Sequence, residues 1–173
     1  VGVVKNLSYL AHVTIRCNSK PILDIVENYI TPIDDLLPNQ LYKKVKVIVN
    51  GNWIGITENP KELFDFMKLK KKQGIINIYT SIIFDVNKLE IKICNEAGRI
   101  TRPVINIEDG SSYLTKDIIK QIKNKTIHWD DLFIDHINGH SMLEYIDPDE
   151  QNYSMIAMNR KKITRIKKHV YFV

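Results

Sequence analysis

Alternation between apolar and polar positions is clearest around residues 81 to 104. Leu89, Ile91 and Ile93 alternate with Glu90, Lys92 and Cys94, which is the period of a half-buried strand. Ser81 to Val86 reads as its partner. A two-residue turn at Asn87-Lys88 would pair Val86 with Leu89 and set Asp85 opposite Glu90. Asn95 to Gly98 then reverses the chain, and Arg99 to Pro103 continues it in extended form. Arg99 and Arg102, three positions apart, point to opposite faces if that strand is regular. Pro103 donates no ladder hydrogen bond, so this piece is expected at a sheet edge or leaving the sheet.

The same period precedes it. Val45, Val47 and Val49 face one way, Asn50-Gly51 is a two-residue hairpin signal, and Trp53 to Ile56 returns as the partner strand. The spacing then changes to that of a helix: Asn59 at the cap, Pro60 at the first position, Glu62 placed for a capping box, and Leu63, Phe66 and Met67 as the buried stripe. Lys68, Lys71 and Lys72 lie near its C-terminal end, where the dipole favours cations, and Gly74 stops it. Further upstream, Val1 to Cys17 is apolar and β-rich, and Pro21 opens a helix carrying Ile22, Ile25, Val26 and Tyr29. Thr31-Pro32 ends that helix, and a loop with a short helical turn around Asp34 to Leu37 runs to Tyr42. Downstream, Glu108, Asp109 and Gly110 read as loop, Thr115 caps a helix to Lys123, and Thr126 starts another through His136. Leu143 to Ile146 is a strand, Asp147 to Glu150 a turn, and Tyr153 to Met158 a returning strand. The fold class is α+β: small antiparallel sheets with packed helices, in two consecutive modules.

Composition adds little to this except in its charge. The 173 residues carry a net charge of +5. Residues 1 to 105 hold 15 basic and 10 acidic side chains, residues 106 to 150 hold 4 and 10, and the tail from Gln151 supplies Arg160, Lys161, Lys162, Arg165, Lys167 and Lys168 without an acid. Such asymmetry points to a polyanion or an acidic protein partner near the tail, or to a solvated lysine-rich surface. No apolar run approaches the length of a membrane span. Cys17 and Cys94 have no CxxC spacing and read as small core residues in a reducing compartment.

Three groups of side chains invite a chemical reading. Asp85 and Glu90 side by side, with Lys92 one step on, are what a Mg²⁺-dependent nuclease of the PD-(D/E)xK type uses: carboxylates for the metal, lysine for the water. The plain alternative is a charged, solvent-facing hairpin. His128, His136 and His140, with Asp130, Asp131 and Asp135, lack the HExxH arrangement of a zinc site and read as incidental, so no metal ligands are assigned. Arg99 and Arg102 suit either phosphate or, with their planar forks, the clamping of a turn through carbonyls and carboxylates. No serine, cysteine or histidine constellation suggests a nucleophile, and no glycine-rich loop suggests a nucleotide cradle.

The run NEAGRITRP, Asn95 to Pro103, resembles the "AGR, two residues, RP" signature of the second-largest subunit of multisubunit DNA-directed RNA polymerases of the eukaryotic, archaeal and large-DNA-virus type. Three more matches fall in the family's order: VGVVKNLSYL (Val1 to Leu10), VNGNWIGITENPKEL (Val49 to Leu63) and LEYIDPDEQNYSMIAM (Leu143 to Met158). The resemblance implies the end of the fork region over 1–42, the external 1 domain over 43–105 and the external 2 domain over 106–173. It implies a scaffold role in DNA-templated RNA synthesis, by a nucleotidyltransferase whose Mg²⁺ is held chiefly by the largest subunit, so that this segment binds no cofactor itself. Lys5 and Asn6, in the segment that follows the family's TPEG motif, are implied to lie near nucleic acid, while Asn50, Gly51, Gly98, Arg99, Arg102 and Pro103 are the structural motif residues. The implied partners are other polymerase subunits, chiefly the largest, with DNA and RNA met through the holoenzyme and no membrane. The implied compartment is intracellular: the nucleus, the cytoplasm or a viral factory. A start inside a motif, without methionine or a leader, is expected of a piece of a longer polypeptide.

Overall fold

The structure, a computed structural model, describes residues 9–108, 111–135, 137, 139–157 and 170–172. Strand β1 (His12–Val13) is followed by helix α1 (Lys20–Val26), whose Ile22 and Val26, four apart, turn inward. Next come β2 (Thr31–Pro32), the hairpin of β3 (Val45–Val49) and β4 (Asn52–Thr57), and helix α2 (Pro60–Lys72). Strands β5 (Ser81–Asp85) and β6 (Glu90–Cys94) complete a five-stranded sheet of order β2-β4-β3-β6-β5. Val45, Val47 and Val49 of β3 and Ile91 and Ile93 of β6 are buried beneath Leu63 and Met67 of α2 and Ile22 and Val26 of α1.

In this sheet one ladder departs from the antiparallel expectation. β3 and β6 run parallel, with Lys46 opposite Glu90 and Val49 opposite Ile93. Helix α2 is the reason: it carries the chain across the face of the sheet to its far edge, where β5 forms. β6 then doubles back into the slot beside β3, in the direction β3 itself takes. The β5–β6 turn also differs. Asp85 does pair with Glu90, but the ladder ends there, and residues 86–89 form a four-residue loop closed by Leu89 at φ 55. Asp85 explains this, because its Oδ1 accepts from Asn87 N at 3.0 Å and Lys88 N at 3.1 Å, drawing the loop around the carboxylate.

A second sheet is built on β7 (Ile100–Glu108). After it come β8 (Ser111–Ser112), α3 (Lys116–Lys123), β9 (Leu143–Ile146), α4 (Pro148–Asn152), β10 (Ile156–Ala157) and β11 (Val170–Phe172). β7 pairs antiparallel with β1, β8, β9 and β11, and β10 pairs parallel with β11. Leu132, Phe133, Leu143 and Tyr145 form its core, joined by Ile118 and Ile122 of α3.

Pro103 does not end the strand. Asn106 N donates to Met142 O at 3.0 Å, which makes Asn106, Val104 and Arg102 the bonded positions toward β9 and turns the Pro103 nitrogen to the opposite edge. On that edge β1 covers residues 100–101 and β11 covers 105–107, so among the described residues Pro103 sits in the break between them. The missing N–H is accommodated by a local edge inside a strand paired on both sides.

Several shorter expectations are corrected. The helix expected from Thr126 through His136 is a single 3₁₀ turn at Asp130–Leu132, and His136 lies outside the described residues. Asp131 Oδ2 accepts from His128 N at 2.9 Å, a local bond that competes with helix continuation. The expected turn at Asp147 to Glu150 is the start of α4, because Asp147 caps it through Glu150 N at 2.8 Å and Pro148 fits the first turn. The strand expected from Tyr153 therefore begins only at Ile156. Asn59 does stand at the cap of α2, but its side chain makes no cap hydrogen bond. Cys17 and Cys94 are half-buried free thiols outside the cores. Among the described residues no helix is long and apolar enough to cross a membrane.

Candidate structural site between the two sheets

Arg99 stands where the two sheets meet, one residue before β7. Its Nε donates to Glu96 O at 3.1 Å, Nη1 to Asp147 Oδ2 at 2.9 Å and Nη2 to Tyr79 O at 2.9 Å. A planar fork with donors on three sides can serve three acceptors at once, which a lysine cannot. Arg102 reaches the same α4 segment more weakly, through Nε to Gln151 Oε1 at 3.1 Å on the exposed side. The two arginines thus converge on residues 147–151. Arg99 precedes the regular strand, so the expected opposition of their faces does not hold.

Thr14 braces the turn that presents Arg99. Its Oγ1 donates to Glu96 O at 2.9 Å and accepts from Arg99 N at 3.0 Å, while its carbonyl accepts from Gly98 N at 2.9 Å. Gly98 has φ 81, a conformation that a side chain would strain.

Asn50 and Gly51 form the hairpin turn with φ 51 and φ 83, both positive as a type I′ turn needs. Asn50 does more than turn the chain. Its Oδ1 accepts from Asn95 N at 2.9 Å, and its Nδ2 donates to Asn95 Oδ1 at 2.8 Å and to Ser19 Oγ at 3.0 Å. Asn95 is buried, and its Nδ2 reaches the carbonyls of Cys17 and Asn18 at 3.3 and 3.2 Å. One knot therefore joins the β3–β4 turn, the end of β6 and the approach to α1.

The strongest electrostatic feature joins buried Lys71, Glu144 and Glu150 with half-buried Lys68. Lys71 continues the buried stripe of α2 at four positions beyond Met67 and is only 2% exposed. Its Nζ donates to Tyr145 O at 2.8 Å and lies 3.1 Å from Glu144 Oε1 and 3.7 Å from Glu150 Oε2. Lys68 Nζ is 2.7 Å from Glu144 Oε1 and also bonds Glu150 Oε1. Burial opposes the charge of Glu144, but Lys68 and Lys71 outweigh it and hold the carboxyl well below its ordinary range. Glu150 is pushed up, by burial first and, despite the same lysines, by the Glu144 charge beside it.

Asp85, Glu90 and Lys92 do share one hairpin, but their oxygens and nitrogens are spent. Asp85 Oδ2 accepts from Tyr153 OH at 2.7 Å while Oδ1 holds the loop amides. That hydroxyl, followed by the loop amides, draws the Asp85 carboxyl below its ordinary value against the effect of burial. Glu90 lies 3.4 Å from Lys92 and 3.9 Å from Lys46. This set does not fit a Mg²⁺ ion, and the nuclease alternative has no support. Asp131 and Asp135 are likewise occupied as loop caps, Asp135 on Ile137 N at 3.0 Å and His140 N at 3.2 Å. Among the described residues no three His, Cys, Asp or Glu side chains gather as metal ligands would. Lys5, Asn6 and the basic tail from Arg160 to Lys168 lie outside the described residues.

Lys71, Thr14, Asn95, Asp147, Glu144 and Glu150 were not singled out as site residues by sequence reasoning. For Lys71 a signal existed, since it falls in register with Leu63 and Met67 on the buried face. Glu144 and Glu150 offered none: one sits in an apolar strand and the other reads as part of a polar turn.

A family model described as RNA polymerase Rpb2, domain 4, matches residues 47–108. The RPB2 subunit of DNA-directed RNA polymerase II from Encephalitozoon cuniculi is 32% identical over 161 residues, 92% of this chain and 14% of that protein. The Rpo2 subunit of DNA-directed RNA polymerase from Sulfolobus acidocaldarius is 27% identical over 175 residues, 94% of this chain and 15% of the relative. DNA-directed RNA polymerase subunit 2 of Acanthamoeba polyphaga mimivirus is 24% identical over 161 residues, 91% of this chain and 13% of the relative. The chain therefore spans about one seventh of the length of these relatives. Over about nine-tenths of its length the chain is similar to the second-largest subunits of eukaryotic, archaeal and viral DNA-directed RNA polymerases, and residues 47–108 match the model of their domain 4.

Proposed function

We propose that this chain is a structural segment of a second-largest RNA polymerase subunit, supporting DNA-templated RNA synthesis without supplying catalytic groups. The match across nearly the whole chain carries this reading. The side-chain chemistry agrees with it: Arg99, Asp147, Lys68, Lys71, Glu144 and Glu150 are turned inward on one another and hold two sheets together. The segment spans the end of the fork region (1–42), the external 1 domain (43–105) and the external 2 domain (106–173), with Arg99, Arg102 and the Asn50 knot as structural residues at their junctions. Its partners are the other polymerase subunits, chiefly the largest, which contributes the aspartates for Mg²⁺. DNA and RNA are met through the holoenzyme, with Lys5 and Asn6 nearest to them. The compartment is that of the assembled enzyme: the nucleus, the cytoplasm or a viral factory.

The test is incubation of the purified chain with a primed template, ribonucleotides and Mg²⁺. No extension and no cleavage is expected, because phosphoryl transfer without metal-holding carboxylates leaves the transition-state charge unstabilised. Template-directed extension that survives removal of contaminating polymerase would overturn the scaffold reading. Mg²⁺-dependent cutting lost in Glu90→Ala would replace it with the nuclease.

A further inference from the structure

Strand β5 is the last strand of its sheet, and the pairing of β6 fixes which groups its outer edge presents. Lys46 N donates to Leu89 O and Asn50 N to Ile93 O, both at 2.9 Å, so Leu89, Ile91 and Ile93 serve β3 while Glu90, Lys92 and Cys94 serve β5. Their partners are Asp85, Ile83 and Ser81. The N–H and C=O groups of Ile82 and Phe84 therefore point outward, and among the described residues nothing bonds them. Ile82 is only 1% exposed, and Phe84 is half-buried. Buried backbone groups without partners are rare in folded proteins, so this edge calls for one.

The space for a partner is present, because a cavity of about 510 Å³ runs beside Ile82, Ile83 and Phe84. Phe64 and Leu69 of α2 wall the side to which Ile82 and Phe84 turn. Tyr153 and Met155 wall the side of Ile83 and Asp85, where Tyr153 OH donates to Asp85 Oδ2 at 2.7 Å. Ile82 and Phe84, two positions and about 7 Å apart along the edge, offer two donor and acceptor pairs in a line, which is what an added antiparallel strand bonds. Every second side chain of such a strand would meet the apolar α2 wall.

Charge sets a further preference. The cavity is lined by three carboxylates, Asp65, Glu144 and Glu150, and by two ammoniums, Lys68 and Lys72. Lys68 is bonded to Glu144 and Glu150, and Lys72 acts on Glu144. Asp65, exposed at the rim, has no ion pair among the described residues, so a basic side chain is the one that completes the set. A second copy of the chain is a poor source of the strand, since its β5 carries the same two walls and these would meet before the edges did.

We propose that the slot along β5 takes up an extended segment of another protein, antiparallel to β5, with aliphatic side chains toward α2 and a lysine or arginine beside Asp65. The inference goes beyond the scaffold reading and does not depend on it, since it uses only the edge, the cavity and their charges.

A capped pentapeptide of lysine, valine, threonine, valine and lysine, titrated into the full 173-residue chain, tests it. Saturable amide NMR shifts are expected in α2, β5 and residues 153–155. In the free chain the amide hydrogens of Ile82 and Phe84 should exchange faster than that of Ile83, and saturating peptide should slow both. Methylating the two valine nitrogens removes the ladder donors and should abolish saturation, whereas methylating the threonine nitrogen, which faces away from β5, should leave it. Asp65→Asn, at an exposed position, is expected to lower affinity about threefold, the worth of a surface ion pair. Absence of saturable shifts, unchanged exchange at Ile82 and Phe84, or binding indifferent to valine methylation would each overturn the proposal. So would β5 shifts that grow with protein concentration alone, because a second copy would then hold the edge.

Discussion

Glu144→Gln isolates the worth of the buried ion cluster, because the side chain keeps its shape and loses only its charge. Glu144 is 3% exposed and touches two ammoniums, Lys68 at 2.7 Å and Lys71 at 3.1 Å. At an effective dielectric of about 20, each contact near 3 Å is worth about 5 kcal/mol before desolvation. Neutralising the group recovers several kcal/mol of its own desolvation but leaves one buried and one half-buried ammonium facing Glu150 alone. The net cost of breaking such a pair is about 3–5 kcal/mol. Urea unfolding at neutral pH, followed by the fluorescence of Trp53 and Trp129, measures it. Adding Lys68→Met restores the balance of charge, so the double variant should be more stable than the sum of the two single losses implies. A Glu144→Gln variant within about 1 kcal/mol of the parent would refute the claim that this cluster ties the sheets together.

Three other outcomes follow from the same contacts. Glu144 lies below its ordinary value of 4.5, so the stability it supplies is whole above that pH and is lost as the pH falls beneath it, whereas the raised Glu150 costs stability when ionised and relieves that cost as the pH descends toward 4.5. A pH series of unfolding midpoints should therefore rise before it falls, and in Glu150→Gln the rise should vanish while the fall remains. Asn50→Gly keeps a residue suited to positive φ but removes the knot with Asn95 and Ser19, so a loss of about 1–3 kcal/mol is expected, and an unchanged midpoint would mean that only the turn matters. Arg99→Lys loses a three-way fork and should cost about 2–3 kcal/mol by the same assay, whereas Arg102→Lys, with one exposed bond, should cost about 0.5 kcal/mol or less.

Local rules made much of the first sheet legible. Alternation in Val45 to Val49, the Asn50-Gly51 dipeptide and the stripe of Leu63 and Met67 each depend on neighbours a few positions away, and those elements form where the pattern puts them. The pairing of β6 with β3 depends on where α2 delivers the chain, which no window of alternation contains. Arg99 was recognisable as a fork suited to clamping, but its acceptors lie 20 and 48 residues away at Tyr79 and Asp147. The segment between Thr126 and His140 misled for the opposite reason, since short polar side chains there bind adjacent amides and so prevent the helix that its spacing favours.

Helix α2 is amphipathic in an unusual sense: its apolar stripe is buried in one sheet, and Lys71, buried, with Lys68, half-buried, pair with carboxylates of the other. Neither sheet can then shed the helix without exposing apolar surface on one side or stranding charge on the other. Local opening of β9 or α4 would uncover Glu144 and Glu150 while their ammoniums stayed fixed on α2, so amide hydrogens in these elements should exchange with those of β3 and β6 as one protected set. Parting the two sheets therefore requires the ion pairs of α2 to break and its apolar stripe to be uncovered in the same event.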